Sequence, residues 1–548
     1  MSTTPPAAGE MSSRQIMSVL SGLLLGMLLS GLDQTIVSTA ARTIGDDLGG
    51  LDQIAWLTTS FLVTSTITTL IYGKLADALG PKPLYLTAIA LFLIGSLLCG
   101  LATSVPLLAV FRAFQGIGAG GLMSLAFAIT GTIIPPRERA QYQGYFAATM
   151  AFSSVLGPLV GGFFAHATSI GPLAGWRFAF WVNIPLGLAA LAIIARTLRI
   201  DNVSVQRRMD VLGAGLLVLA VVPILLVGEE GNAWGWTSAT ALLCSAVGVV
   251  GTAAFILRQR RMGPDALLPL RLFRTRKFTV PVLITFVTGA VQIGALTILP
   301  LYLQIVRGAT PTQSGLLLIP MVLGISVTSI VVGRLVRRTG RTKIFPVIGA
   351  AAELIAFLGL STVRPDTSLV FVDMLMVLIG AGLGASANTI ILILQNSVDF
   401  GDLGVATAGS TFFRNIGATA GTAVLVSTLF ATASSAITQA YRQARTSRAF
   451  VSALSAHPEQ HQIIETGIRG GLEDTSFLTQ LDPDLAAPLL TGFAHAMDTT
   501  ALIGAGLAAI GLILTLFVRE VPLRAMSARA GARATATGPE AKPVAAER

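Results

Sequence analysis

Apolar runs of about 20 residues, the length a helix needs to cross a ~30 Å hydrocarbon layer, follow one another along this chain with only short polar breaks between them. They fall at 16–39, 54–73, 84–103, 106–132, 141–165, 179–198, 211–228, 238–257, 278–303, 313–333, 344–363, 368–395, 404–430 and 497–518, fourteen in all. A spanning segment must pair its own backbone N–H and C=O groups, which a helix does and an isolated strand does not. The expected fold is therefore all-α and integral to a membrane. Composition agrees: Asp, Glu, Lys and Arg make up 12% of the 548 residues, against about 25% in soluble proteins, and the mean hydropathy is +0.75.

The net charge of +10 does not point to nucleic acid, because the basic residues are spread through the breaks instead of forming one stripe. Cys99 and Cys244 lie in apolar runs, and His166, His457, His461 and His495 have no ligand spacing, so neither a disulfide framework nor a metal site is expected. A phosphate-binding Gly-x-x-x-x-Gly-Lys-Ser/Thr loop is absent. So is a His-Glu-x-x-His pattern, and an intramembrane enzyme has no nucleophile and base to work with. No cofactor is implied. Residues 1–15 and 519–548 read as disordered cytosolic tails.

Orientation follows from the excess of Lys and Arg that cytoplasmic loops retain. With the N-terminus inside, the inner breaks hold clusters such as Arg196, Arg199, Arg207 and Arg208, then Arg271, Arg274, Arg276 and Lys277, then Arg334, Arg337, Arg338, Arg341 and Lys343. Arg137 and Arg139 belong to the same side as loop residues, and both termini are cytosolic. All five tryptophans (Trp56, Trp176, Trp181, Trp234, Trp236) then fall near the outer interface, where amphipathic rings prefer to sit. The longest connection, 431–496, lies outside, and its segment Ser435 to Ser455 has the composition to extend the thirteenth helix beyond the bilayer.

Two glycine-bearing turns recur 260 residues apart: Gly73-Lys-Leu-Ala-Asp77-Ala-Leu-Gly80-Pro-Lys82-Pro and Gly333-Arg-Leu-Val-Arg337-Arg338-Thr-Gly340-Arg341. Their equivalent positions suggest two related halves. With Leu32-Asp33-Gln-Thr35, Arg112-Ala-Phe-Gln115-Gly116-Ile-Gly118-Ala-Gly120, Gly157-Pro158-Leu-Val-Gly161-Gly162, Trp176-Arg177 to Asn183 and Phe413-Arg414-Asn-Ile-Gly417, the chain resembles the major facilitator superfamily, specifically its fourteen-helix drug:proton antiporter-2 branch. The resemblance runs from Val19 to Val518. It implies two six-helix bundles, 16–198 and 278–518, with two additional central transmembrane helices in 199–277. Ala78 and Pro81 stand where the loop signature usually has basic residues, so a charge network at that turn is expected to be weakened. Arg42 replaces a usual proline and Ser153 a usual glycine.

An ionisable residue inside a span costs at least ~2.5–3.5 kcal/mol on insertion scales, which makes each one a functional candidate. Five qualify: Asp33, Arg112, Glu353, Asp373 and Arg414. A buried carboxyl that is ionised when it meets a cationic compound and protonated when it lets go is a minimal exchanger. Asp33 fits that role or a fixed interhelical hydrogen bond. The resemblance implies that Arg112 takes part in proton coupling; pairing with backbone near Gln115 is its structural reading. Glu353 is the deepest acid, suited to coupling, substrate contact or a structural bond. Asp373 sits close enough to the outer surface to be hydrated, and Arg414 close enough to the inner one to snorkel. Gly116, Gly157, Pro158, Gly161 and Gly162 supply small surfaces and a bend where helices must approach closely. The resemblance implies a monomer that exports hydrophobic or cationic drugs across the cytoplasmic membrane, among its lipids, in exchange for protons; a lipid or glycolipid exporter on the same scaffold is the alternative.

Overall fold

The computed structural model describes residues 13–49, 53, 55–166, 173–198, 210–309, 311–399, 402–457, 460, 481–520 and 522–523. The expected tails before Ser13 and after Leu523, and most of 458–480 in the outer connection, lie outside the described residues, as do Arg199, Arg207 and Arg208.

The chain folds into helices α1 (Ser13–Leu48), α2 (Ala55–Leu79), α3 (Pro81–Gly100), α4 (Val105–Ile133), α5 (Pro136–His166), α6 (Trp176–Trp181), α7 (Asn183–Thr197), α8 (Val211–Trp234) and α9 (Ala239–Met262). It continues through α10 (Arg276–Ile305), α11 (Pro311–Leu317), α12 (Ile319–Thr339), α13 (Ile344–Leu360), α14 (Leu369–Asn396), α15 (Leu403–Ala444), α16 (Arg448–Ala456) and α17 (Pro483–Leu516). Among the described residues twelve segments are long and apolar enough to cross a membrane. The two remaining runs form α2, diluted by Ser and Thr, and α13, which has 17 residues. Helix starts follow local chemistry. Asp210 accepts from Gly213 N at 2.9 Å and Ser238 from Ala241 N at 3.2 Å, capping α8 and α9. At the recurring turns Gly80 (φ 84°) and Gly340 (φ 71°) both hold a positive φ, which glycine adopts without strain, although Gly80 is extended (ψ 150°) and Gly340 is left-handed helical (ψ −4°).

The two halves repeat one packing scheme. In the first, α1 packs on α5, α2 and α3 on α4, and α7 on α1 and α3; in the second, α10 packs on α15, α12 and α13 on α14, and α17 on α10 and α13. Across the seam α5 meets α12 and α2 meets α15. The α8–α9 hairpin lies on one flank of that seam, with α8 against α2 and α15.

Three features depart from the sequence reading. Helix α5 starts at Pro136, five residues before the apolar run, because proline is favoured in a first turn. Arg139 is consequently a helix residue, 1% exposed, and not a loop cation. Trp176 stands at the end of the bundle opposite the recurring turns, as do the other tryptophans, but it is buried and donates Nε1–H to Asp47 at 2.8 Å instead of facing an interface. Among the described residues the outer connection is mostly helical: α15 runs to Ala444, as its composition suggested, while α17 starts at Pro483, well before its apolar run, and Gly492 of α17 sits against Ile437 of α15.

Candidate functional site

Polar groups concentrate at three places: a network inside the first half, a seal across the seam, and a cavity at its centre.

The network is built on Asp33 of α1. One carboxylate oxygen pairs with the Arg112 guanidinium; the other accepts from Gln115 Nε2 at 2.9 Å and Asn183 Nδ2 at 2.8 Å. Gln115 also donates to Ser96 Oγ at 2.7 Å, and its Oε1 accepts from Arg112 at 2.8 Å. Arg112 Nε donates to the Leu57 carbonyl at 3.1 Å, and its charged plane lies 4.1 Å above the Phe61 ring. Asp33, Gln115, Asn183 and Ser96 are fully buried. The pieces come from α1, α2, α3, α4 and α7, so the ion pair ties most of this half together. The fit depends on Gly116, whose missing side chain lets α4 lie against the Phe61 carbonyl and Thr64 of α2.

The seal lies at the end carrying the recurring turns. Asp77 accepts from Gly404 N at 3.0 Å and Val405 N at 3.1 Å, capping the start of α15 from the other half, where the helix dipole favours a carboxylate. Gly73 and Gly404 lie backbone to backbone beside it, and any Cβ at Gly73 would collide with Ala408. The second turn acts reciprocally: Gly333 packs on the Ala140 carbonyl, Arg337 binds Gln141, and Arg137 donates to the Arg337 carbonyl at 3.0 Å. Between these contacts sits Arg139. It donates to Gln395 Oε1 at 2.7 Å and to the Gly131 and Ile134 carbonyls at 2.6 and 2.9 Å. Gln395 in turn donates to Thr407 Oγ1 at 3.0 Å and to the Phe127 carbonyl at 3.3 Å. Beside the seal, Arg271 grips Asp402 through both carboxylate oxygens at 2.8 and 2.7 Å, fastening the segment after α9 to the start of α15.

The cavity, about 80 Å³, opens between the halves. Met27, Met123, Met150, Phe127 and Phe146 line it from the first half; Gln292, Asn388 and Arg414 line it from the second.

Residues 23–422 match the sequence model of the Major Facilitator Superfamily. The chain belongs to the major facilitator superfamily. An uncharacterized MFS-type transporter of Mycobacterium tuberculosis is 35% identical over 508 residues, 92% of this chain and 70% of that protein. The multidrug transporter protein MdtP of Bacillus subtilis is 32% identical over 535 residues, 94% of this chain and 95% of that one. Among solved structures, the MFS proton:xylose symporter XylE bound to 6-bromo-6-deoxy-D-glucose superposes with a TM-score of 0.56 at 14% identity, over 95% of this chain and 100% of the symporter, a likeness of fold. This superfamily member is accordingly a multi-pass membrane transporter and not an enzyme.

Within that facilitator fold the anticipated residues separate. Asp33, Arg112, Gln115 and Gly116 meet in the network, and Gly73, Asp77 and Gly80 at the seal; Lys82 binds the Ala195 carbonyl at 3.1 Å near the end of α7. Gly157 and Gly161 face Thr35 and Ile36 of α1, so these two tighten one half and do not line the seam, where Gly144 of the same helix meets Ser329 and Ile330 of α12. A Cβ at Gly162 would meet no atom within 4 Å, and Pro158 stands 3.9 Å from the position of a Cβ on Gly315, where α5 meets α11. Glu353 is buried between α13 and α14 beside Gly382, with Oε1 lacking a hydrogen-bond partner, and it does not line the cavity. Asp373 is half-buried on α14 with Oδ1 unpartnered. Arg414, expected near one surface, faces the cavity. Sequence reasoning missed Arg139 and Gln395, whose only signals were a cation in a break and an amide in an apolar run. It also missed Gln292 and Asn388.

Proposed function

We propose that the protein is a proton-coupled exporter that moves hydrophobic drugs out across the cytoplasmic membrane by alternating access, with both termini and the sealed end in the cytosol. The observation that carries this reading is the buried Asp33–Arg112 pair. Arg112 stays charged, so protonation of Asp33 is the event that can undo the pair, and undoing it frees donors on α4 and α7 together, with the Ser96 acceptor of α3 beside them. A proton is thereby converted into a rearrangement of the half that forms one wall of the cavity. The relative named for multidrug transport supports drugs as the cargo. One charge crossing 100 mV supplies ~2.3 kcal/mol, enough for a concentration ratio above tenfold. The halves would rock about the cavity, the seal opening as the opposite end closes. Network, seal and cavity all lie in one chain, so a monomer among membrane lipids suffices.

The test is drug efflux from proteoliposomes carrying an imposed proton gradient. Wild-type protein is expected to extrude at least one of a set of fluorescent hydrophobic compounds, cationic (ethidium), neutral (Nile red) and anionic (1-pyrenebutyrate), and to stop when a protonophore is added. Asp33→Asn is expected to insert normally and to lose gradient-driven extrusion. Unchanged extrusion after the gradient has collapsed would refute the reading.

Lipid or glycolipid export is a second reading favoured by one feature, the helical hairpin that α15 and α17 raise beyond their spans. Glu353, the acid that reading would use for a headgroup, packs away from the cavity.

A further inference from the structure

The central cavity carries a charge that the exchange of protons does not use. Arg414 packs on Gly289 of α10 through its carbonyl and the base of its stem, and it lines the cavity together with Gln292 and Asn388. None of the residues lining the cavity is acidic. Among the described residues no carboxylate pairs with Arg414 and no hydrogen bond occupies its guanidinium. The two acids that a cationic substrate would need are committed elsewhere: Asp33 is enclosed by Arg112, Gln115 and Asn183, and Glu353 is packed between α13 and α14. Ser154 and Ser329, also on the wall, spend their hydroxyl protons on the Met150 and Gly384 carbonyls.

An uncompensated guanidinium at membrane depth forgoes its hydration, a loss that an incoming anion offsets. Arg414 also offers a planar fork of donors matched to carboxylate geometry. Opposite this polar wall stand three methionines and two phenylalanines, unbranched or flat side chains that repack around apolar bodies of different outline. We infer that the cavity is a binding site for amphiphilic monoanions, with a carboxylate or equivalent head on Arg414, Gln292 and Asn388 and an apolar body against the methionine wall.

The inference rests on the exporter reading and names the charge of its cargo. It also changes the energetics. An anion leaving the cell is driven by the inside-negative potential, whereas a cation leaving is opposed by it. At about 80 Å³ the cavity holds only two or three waters, so it must widen to admit such a compound.

The experiment compares three probes that share one body, 1-pyrenebutyrate, 1-pyrenebutanol and 1-pyrenebutylamine, by their stabilisation of the full chain against thermal unfolding in phosphatidylcholine nanodiscs. The carboxylate is expected to bind about tenfold more tightly than the alcohol or the amine. Arg414→Gln is expected to abolish that preference, and Arg414→Lys to keep most of it. Equal binding of the three probes by the wild-type protein, tighter binding of the amine, or a preference that survives Arg414→Gln would overturn the assignment. If Arg414→Gln does not fold, the wild-type comparison still decides. No gradient is present, so the result stands apart from proton coupling, which the proteoliposome assay reads.

Discussion

Removing one member of a buried ion pair leaves the other charge uncompensated, at a cost of about 3–5 kcal/mol. Asp33→Asn and Arg112→Gln are therefore each expected to lower the unfolding temperature of the purified protein. The double variant, which buries two neutral amides, is expected to regain most of that loss while gradient-driven efflux stays absent. Thermal unfolding and proteoliposome transport, measured on the same preparations, separate the structural share of the pair from its part in coupling. Recovery of efflux in the double variant would show that the charges are dispensable. Asp33 and Arg112 were legible in the sequence because an ionisable residue in an apolar run stands out against its cost. Asn183 was visible inside a motif, but its role was not, since a neutral amide in a membrane helix has many uses. Arg414 was legible as a charge and not as a cavity residue, because depth along a helix says nothing about which way a side chain faces.

Helices meet across the seam through glycine and backbone, so the contacts fail when volume is added. Gly333→Val would drive a side chain into the Ala140 carbonyl. It is expected to hold the seal apart, seen as faster thiol labelling of a cysteine placed at Gln141 in a chain whose Cys99 and Cys244 have been replaced by alanine. Gln395→Glu acts in the opposite sense by giving Arg139 a carboxylate. A strengthening of about 1.4 kcal/mol is a factor of ten in an equilibrium, so turnover is expected to fall roughly tenfold with substrate affinity unchanged. The existence of the helices was legible from length and apolarity alone, while their ends were not: Pro136 moved a helix start past the hydrophobic signal, and α15 and α17 continue beyond it through residues that are helix-forming but not apolar. The recurring turns were the most informative fragments, since Gly80 and Gly340 both hold a positive φ and Gly73 and Gly333 seal equivalent crossings.

The whole molecule is two copies of one packing scheme with a hairpin on the flank, and the doubling could be anticipated from the repeated turn. The additional helices were expected to be central, but which helices they would touch was not legible, because apolar helices carry no address; contacts of α8 with α2 and α15 decide it. Orientation is tested directly. A single cysteine at Thr339, exposed at the sealed end, is expected to react with a membrane-impermeant maleimide only after cells are opened, and one at Ser455 of α16 in intact cells. The reverse pattern would place the basic clusters outside and undo the assignment of direction.

Arg139 is shut among carbonyl and amide oxygens, with no counter-charge paired to it among the described residues. A guanidinium held that way forgoes its hydration for as long as the end stays closed. Water reaching it would recover that loss, so the latch would push back against its own closure. A leucine in its place could shut the gap as tightly, but nothing would then help to spring it open.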